Sequence, residues 1–382
     1  MTKNLRHAAG SLLVVGLSAT ELTGLERSWL KLVRPAGIIL FRRNIASVKQ
    51  TRALLDAATA LCASHAFRCV DVEGGTVDRL RDVLAPMPSA HAVAAAARLP
   101  GNTRLAREHG ELVARGVKAF GFNTTLAPVL DLALPDSALV MGTRSPAPDA
   151  AGVVAYARQC LAGLASEGVA GCGKHFPGLG GGTRDSHLET PAIERAWKDL
   201  WCEDMAPYRE LRDELPIVMV NHAAYPRTQG KYLPASASAF WMTTVLRKRI
   251  GYRGLIFSDD MEMGGILKFL PMEEAAVAAV RAGMDTLEIC HSPELILRAY
   301  ESLIAEAERS LSFRTLLTNR ARDTARKRAH LFAAGATKAL TERQFEALRA
   351  RILQFREEAT GEPVGESTMV QSANPTSLVE TA

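Results

Sequence analysis

Short apolar runs alternate with longer helix-like stretches along most of this chain, and that rhythm restricts it to a small set of α/β architectures. The candidate strands are Leu12–Val15, Gly37–Phe41, Arg68–Asp71, Asn123–Leu126, Ala170–Lys174, Ile217–Asn221, Leu255–Ser258 and Thr286–Cys290. Between them, Thr103–Phe120 sets Leu105, His109, Leu112, Val113, Gly116, Val117 and Phe120 on one face at spacings of three and four. Ala147–Ala165, Arg195–Arg212, Thr243–Ile250 and Met272–Ala282 read as further helices, the last with Glu273 and Glu274 where a helix N-terminus favours acids. Eight strands alternating with helices predict a (β/α)8 TIM-type barrel. A doubly wound open sheet stays the alternative, because periodicity does not distinguish closure.

Beyond the last strand, helix-like segments run from Pro293 to about Gln354. They predict one catalytic barrel domain with additional C-terminal helices over residues 1–355. Residues 356–382, rich in Glu, Ser, Thr, Gly and Pro without an apolar period, predict a disordered tail. At the other end, Lys3, Arg6 and His7 ahead of Ala8–Ala19 imitate a signal peptide. The short β-rich run and the lack of an obvious cleavage site favour a first strand, with the signal peptide kept as the alternative. No run approaches the ~20 apolar residues of a membrane span.

Of the 382 residues, 47% are hydrophobic and 23% charged, which suits a globular enzyme and argues against general disorder. The net charge of +5 is too small to argue for nucleic acid. Much of the excess falls in Arg314–Arg328, read as a solvated helix face, with a basic binding patch as the lesser alternative. Six Cys without a CxxC pair read as reduced core residues and not as a disulfide frame or a zinc site. No metal or organic cofactor is expected, and no pattern speaks to oligomeric state.

Chemistry concentrates at the ends of the candidate strands, where barrel enzymes place their sites. Asp71 and Glu73 end the third, Lys174 and His175 the fifth, Asn221 and His222 the sixth, and Ser258, Asp259 and Asp260 the seventh. Residues 174–187 read KHFPGLGGGTRDSH, a glycine-rich loop with two His, one Lys and one Asp. Such a loop can close over a ligand and carry protons.

That segment, followed by LETP, resembles the KHFPGHG…DSH segment of the β-N-acetylglucosaminidases in family three of the glycoside hydrolases. GIILFRRNI (Gly37–Ile45), VDVEGG (Val70–Gly75), FNTTLAPVLDL (Phe122–Leu132), MGTRS (Met141–Ser145), VMVNHAAYP (Val218–Pro226) and GLIFSDDMEM (Gly254–Met263) resemble that family's blocks in the same order. The likeness spans about Leu12 to His291, and the ordered set is far more specific than any single block. Two positions depart from it. Leu179 stands where PGHG has His, and Thr76 follows EGG where Arg is common.

The resemblance implies a cytoplasmic, retaining exo-β-N-acetylglucosaminidase of bacterial peptidoglycan recycling, acting on GlcNAc-containing muropeptides. By the same resemblance Asp259 is the nucleophile, His187 the acid/base and Asp185 its partner, which departs from the usual pair of carboxyls. Asp71, Arg79, Arg144, Lys174 and His175 resemble the sugar-contacting residues. Taken alone, several have a plainer reading: Asp259 or Asp260 as a helix cap, Arg79 as a surface charge, His175 as a core residue, and Asp185 with His187 as a chance pair, whereas a buried Lys174 would need a partner. Three rival functions stay open. A His acid/base would not repel phosphate as a Glu would, which allows a phosphorylase. Lys174 could form a Schiff base, as in barrel lyases. A sugar-binding protein without turnover is the third.

Overall fold

The eight apolar runs form one ring of parallel strands. The structure, a computed structural model, describes residues 2–182, 190–230, 232–333 and 338–362. In chain order the strands are β1 (Leu13–Gly16), β2 (Gly37–Leu40), β3 (Phe67–Val70), β4 (Val72–Gly74), β5 (Val77–Asp78), β6 (Thr124–Thr125), β7 (Cys172–Phe176), β8 (Ile217–Val220), β9 (Leu255–Asp260) and β10 (Thr286–Ile289). β4 and β5 make a small antiparallel hairpin directly after β3. The other eight pair in the order β6-β3-β2-β1-β10-β9-β8-β7. Isolated parallel bridges from Thr124 to Ala170 and from Val129 to Lys174 draw the two edges together. The sheet is a nearly closed barrel, not the open alternative.

Alternation along each strand explains the closure. Leu13, Val15, Ile38, Leu40 and Val218 pack outward against helices, while Val14, Ile39, Cys69, Cys172 and Phe257 fill the interior. Such strands are buried on both faces, which is why they read as continuous apolar runs. Phe67, the first residue of β3, meets Phe257 edge-on at 4.9 Å and Phe332 at 5.4 Å, closing the N-terminal end.

All eight strands differ from their expected bounds by at least one residue at an end, and three change most in length or position. β6 shrinks to two residues where the Asn123 side chain captures one backbone donor: Oδ1 accepts the Arg68 N–H at 2.8 Å and Nδ2 donates to the Ala66 carbonyl at 3.0 Å, while the Asn123 N–H still donates to the Arg68 carbonyl at 3.1 Å. Pro128 then removes a ladder donor. β7 starts at Cys172, Ala170 making only a bridge, and runs to Phe176 before Pro177. β9 extends to Asp260, with an irregularity in its pairing to β10 between Phe257 and Asp260.

The helix over Met272–Ala282 matches expectation, and those near Thr103–Phe120 and Ala147–Ala165 run Leu105–Ala119 and Ala150–Ser166. A helix over Thr2–Gly10 precedes β1 and buries Leu5, Ala8 and Ala9. The last helix covers Glu342–Thr360, past the expected start of the tail at residue 356. Its stripe of Leu348, Ile352, Phe355 and Ala359 continues across that boundary, and Gly361 ends it in the left-handed region at φ 70°. The basic stretch lies on the helix Leu311–Leu331, but only part of it faces solvent. Arg320 pairs with Asp285 at 2.8 Å, and the buried Arg328 donates to the Ser11 carbonyl. All six Cys are unbridged, with Cys202 exposed and the others buried. Among the described residues, no helix is long and apolar enough to cross a membrane.

Candidate active site

The polar strand ends converge on one cleft at the C-terminal mouth of the barrel. It is lined by Asp71, Arg79, Arg144, Lys174, His175 and Asp259, six of the residues singled out from sequence. Asp185 and His187 lie outside the described residues. Asn221 and His222, though at the end of β8, serve as braces. Asn221 Nδ2 donates to the His175 carbonyl at 3.0 Å and to the Tyr225 hydroxyl at 2.9 Å. The His222 ring lies between Ser236 Oγ at 2.6 Å and the Asp260 carbonyl at 2.9 Å.

Each side chain is aimed by a rigid element. Lys174 and His175 are successive residues of β7, and Asp71 follows β3. The hairpin of β4 and β5 places Glu73 beneath them, and a short turn over Gly142–Arg144 swings Arg144 inward. Lys174 Nζ donates to Asp71 Oδ1 at 2.8 Å and lies 2.6 Å from Glu73 Oε1. Arg144 grips Glu73 through two parallel bonds, Nε to Oε2 at 2.8 Å and Nη2 to Oε1 at 2.9 Å. Burial disfavours the charge on Glu73, yet Arg144 and Lys174 outweigh it and hold the carboxyl well below its ordinary range. Burial likewise opposes the Lys174 charge, while Asp71 and Glu73 more than compensate and keep the amine protonated beyond the ordinary lysine range. A lysine held that way is a fixed donor and a poor nucleophile, which weakens the Schiff-base reading.

Asp131 is a site residue that sequence reasoning passed over. Its Oδ2 lies 2.6 Å from His175 Nδ1 and accepts the His175 N–H at 3.1 Å, while Oδ1 accepts the Leu179 N–H at 2.7 Å. Arg144 Nη2, a pure donor, faces His175 Nε2 at 3.4 Å, so the ring proton belongs on Nδ1 toward Asp131. The signal was an acid between Leu130 and Leu132, inside a block quoted only for its likeness. The Leu179 side chain lines the cleft as an apolar wall, and its backbone is pinned by Asp131. Tyr225 OH holds the Gly178 carbonyl at 2.7 Å, so the base of the glycine loop is anchored. Gly178 sits at φ 138°, where an added Cβ would come within 2.7 Å of Asp204 Cβ.

On the opposite wall, β9 presents Asp259 and Asp260 side by side, and the Asp260 N–H donates to Asp259 Oδ1 at 3.0 Å. Asp260 Oδ1 accepts the Glu262 N–H at 3.0 Å, a turn-capping role like the one expected from sequence. Burial, then the neighbouring Glu262 and Asp259, push Asp260 up to about 8. Asp260, Glu262 and His291 bring possible ligand atoms within 4.8 Å of one another. Glu262 Oε1 is already committed to the His291 and Ser292 N–H groups, and Arg43 and Arg79 beside His291 oppose a further cation. Glu288 and His291 also line the cleft and carried no role in the sequence reading.

The comparisons with known proteins identify the family. Residues 5–316 match the glycosyl hydrolase family 3 N terminal domain. A β-hexosaminidase of Alkalilimnicola ehrlichii is 40% identical over 287 residues, 74% of this chain and 82% of that protein. One from Stenotrophomonas maltophilia is 34% identical over 309 residues, 80% of this chain and 90% of the relative. Among solved structures, a family 3 β-N-acetylglucosaminidase of Paenibacillus sp. str. FPU-7 superposes with a TM-score of 0.82 at 30% identity, covering 92% of this chain and 68% of its own. NagZ of Neisseria gonorrhoeae gives 0.73 at 28%, covering 91% and 98%. The barrel, the order of the sequence blocks and the family match across most of its length make this chain a member of glycoside hydrolase family 3.

Proposed function

We propose that the chain is a retaining exo-β-N-acetylglucosaminidase that removes terminal GlcNAc from peptidoglycan-derived muropeptides in the cytoplasm. The observation that carries this reading is that Asp259, on the end of β9, shares one cleft with the Lys174–Asp71 pair, Arg144 and His175. A carboxylate and a cluster of fixed donors and acceptors around one cleft suit a neutral, hydroxyl-rich ligand. The β-hexosaminidase and β-N-acetylglucosaminidase relatives support the sugar class, and the muropeptide follows from the resemblance in the sequence blocks.

In this mechanism Asp71, Arg79, Arg144, Lys174 and His175 hold the terminal sugar. Asp259 attacks the anomeric carbon, the bond to the leaving oxygen breaks, and that oxygen takes a proton from His187, leaving a glycosyl ester on Asp259. Asp185 orients the His187 ring and stabilises its charged form. Water then gives a proton to His187 and attacks the same carbon, freeing Asp259. The chain through its last helix acts as one catalytic unit, with no cofactor required.

The test is turnover of a nitrophenyl β-N-acetylglucosaminide, the corresponding β-glucoside and a muropeptide, each with and without phosphate. Hydrolysis of the first and third, with free GlcNAc as product, is the expected outcome. A sugar 1-phosphate would make the enzyme a phosphorylase. Binding without turnover would make it a sugar-binding protein, and borohydride trapping of substrate on Lys174 would sink the glycosidase.

A further inference from the structure

Glu288 is an acid in the middle of a strand whose neighbours, Leu287 and Ile289, pack into the apolar layer outside the barrel. It alternates with them, so its side chain shares the inner face with Cys290 and lines the bottom of the cleft beside Asp71, Lys174 and Asp259. The residue is 2% exposed, and its Oε1 is buried without a hydrogen-bond partner. Its backbone is fixed on both sides: the N–H donates to Ser258 Oγ at 2.9 Å, and the carbonyl accepts the Met261 N–H at 2.8 Å. Glu73, Lys174, Arg144 and His175 are all paired in the same cleft, so Glu288 stands out as a rigidly mounted polar group left unmet. Buried polar atoms are rarely left so, and one that lines a cleft calls for a partner from outside the fold, such as a ligand or a water.

We propose that Glu288 reads the substrate, its carboxyl forming a hydrogen bond to a hydroxyl of the terminal sugar from the bottom of the cleft. This rests on the glycosidase reading above and adds a specificity-determining residue to it. The groups that face Glu288 set the direction of that bond. Asp71 and Lys174 approach from the ends of β3 and β7, and Asp259 and Asp260 from β9. The buried thiols of Cys69, Cys172 and Cys290 complete its surroundings, each pushed well above the ordinary thiol range and therefore uncharged. Burial, then the three carboxyls, drive Glu288 well above the carboxylate range, with Lys174 only a partial offset. Burial and those carboxyls favour the protonated form, whose O–H donates to a sugar oxygen.

Glu288→Gln keeps a donor of similar shape, and Glu288→Leu removes it without leaving a cavity. Both are compared with the wild type for KM and kcat on the nitrophenyl β-N-acetylglucosaminide, and for GlcNAc affinity by calorimetry, at pH 7. The expected result is a Gln variant within about 3-fold of wild type at pH 7 and a Leu variant with KM and GlcNAc affinity weakened roughly 10-fold or more, kcat changing little. A Leu variant that binds as tightly as wild type, or a Gln variant as weak as Leu, overturns the proposal. Failure of the wild type to cleave the glycoside would count against the glycosidase reading alone, since calorimetry still decides the role of Glu288.

Discussion

Asp131 Oδ2 lies 2.6 Å from His175 Nδ1, and the other oxygen of the same carboxylate accepts the Leu179 N–H. One buried acid thus orients a ring in the cleft and ties down the start of the loop leading to Asp185 and His187. Asp131→Ala is expected to lower kcat/KM by roughly 100-fold, about 2.7 kcal/mol of lost transition-state stabilisation. If Asp131 works through His175, the double variant with His175→Ala should lose little more than either single one. Multiplying losses in a steady-state cycle would show that the two act separately.

Glu73 is the shared anion of Lys174 and Arg144, all three nearly inaccessible. Glu73→Gln leaves two buried cations short of a partner, a defect of about 3–5 kcal/mol. The exposed pair Arg158–Glu214 offers the contrast, and Glu214→Gln should cost under about 1 kcal/mol. Urea unfolding of both variants checks the ratio; equal costs would contradict the role given to burial.

Asp259→Ala is expected to reduce release of nitrophenol from the β-N-acetylglucosaminide by roughly 10⁴-fold or more while leaving the thermal transition in place. His187→Ala should impair muropeptide cleavage far more than cleavage of the activated nitrophenyl substrate, because a good leaving group needs little protonation. Equal losses on both substrates would argue against an acid role.

Asp204, packed under Gly178 and bonded to Arg195 at 2.7 Å, is pushed up to about 7 by burial, with Arg195 only partly offsetting it. The folded protein then holds this proton more tightly than the unfolded chain, whose Asp titrates near ~3.9. Stability attributable to the residue falls as pH rises from about 4 to about 7 and is level above that. Asp204→Asn removes this slope, so its stability relative to wild type should improve on going from pH 4.5 to pH 8 by something on the order of 2 kcal/mol. A difference independent of pH would show that Asp204 does not titrate in this window.

The barrel was legible because its strands are buried on both faces and so read as apolar runs such as Ile38–Leu40 and Ile217–Val220. Where a side chain captured a backbone donor, as Asn123 does from Arg68, the run overstated the strand. The tail boundary was misplaced because Glu357 and Glu358 look like linker residues. Glu358 in fact pairs with Arg104 and Arg351, and Phe355 and Ala359 keep the helix seated. The cleft was legible wherever a polar residue ended an apolar run, which found Asp71, Lys174, His175 and Asp259. Asp131 and Glu288 sit within apolar segments, and their function depends on neighbours that only the closed barrel brings near. The sequence likewise marked Glu73 as a polar strand end, but only the fold reveals that it joins two cations.

The helix Glu342–Thr360 also bears on how the molecule is made. Arg104 on an early segment bonds Glu358, 254 residues later, and β1 meets β10 through Leu13 opposite Leu287. Contacts that span so much chain form late, after loop closure has cost its entropy. During synthesis the first strand of the barrel must wait for its neighbour β10, and the surface against which Phe355 packs stays bare until the last helix has emerged. The nascent chain therefore carries uncovered apolar surface until its C-terminal helices have emerged, and chains in that condition are prone to aggregate.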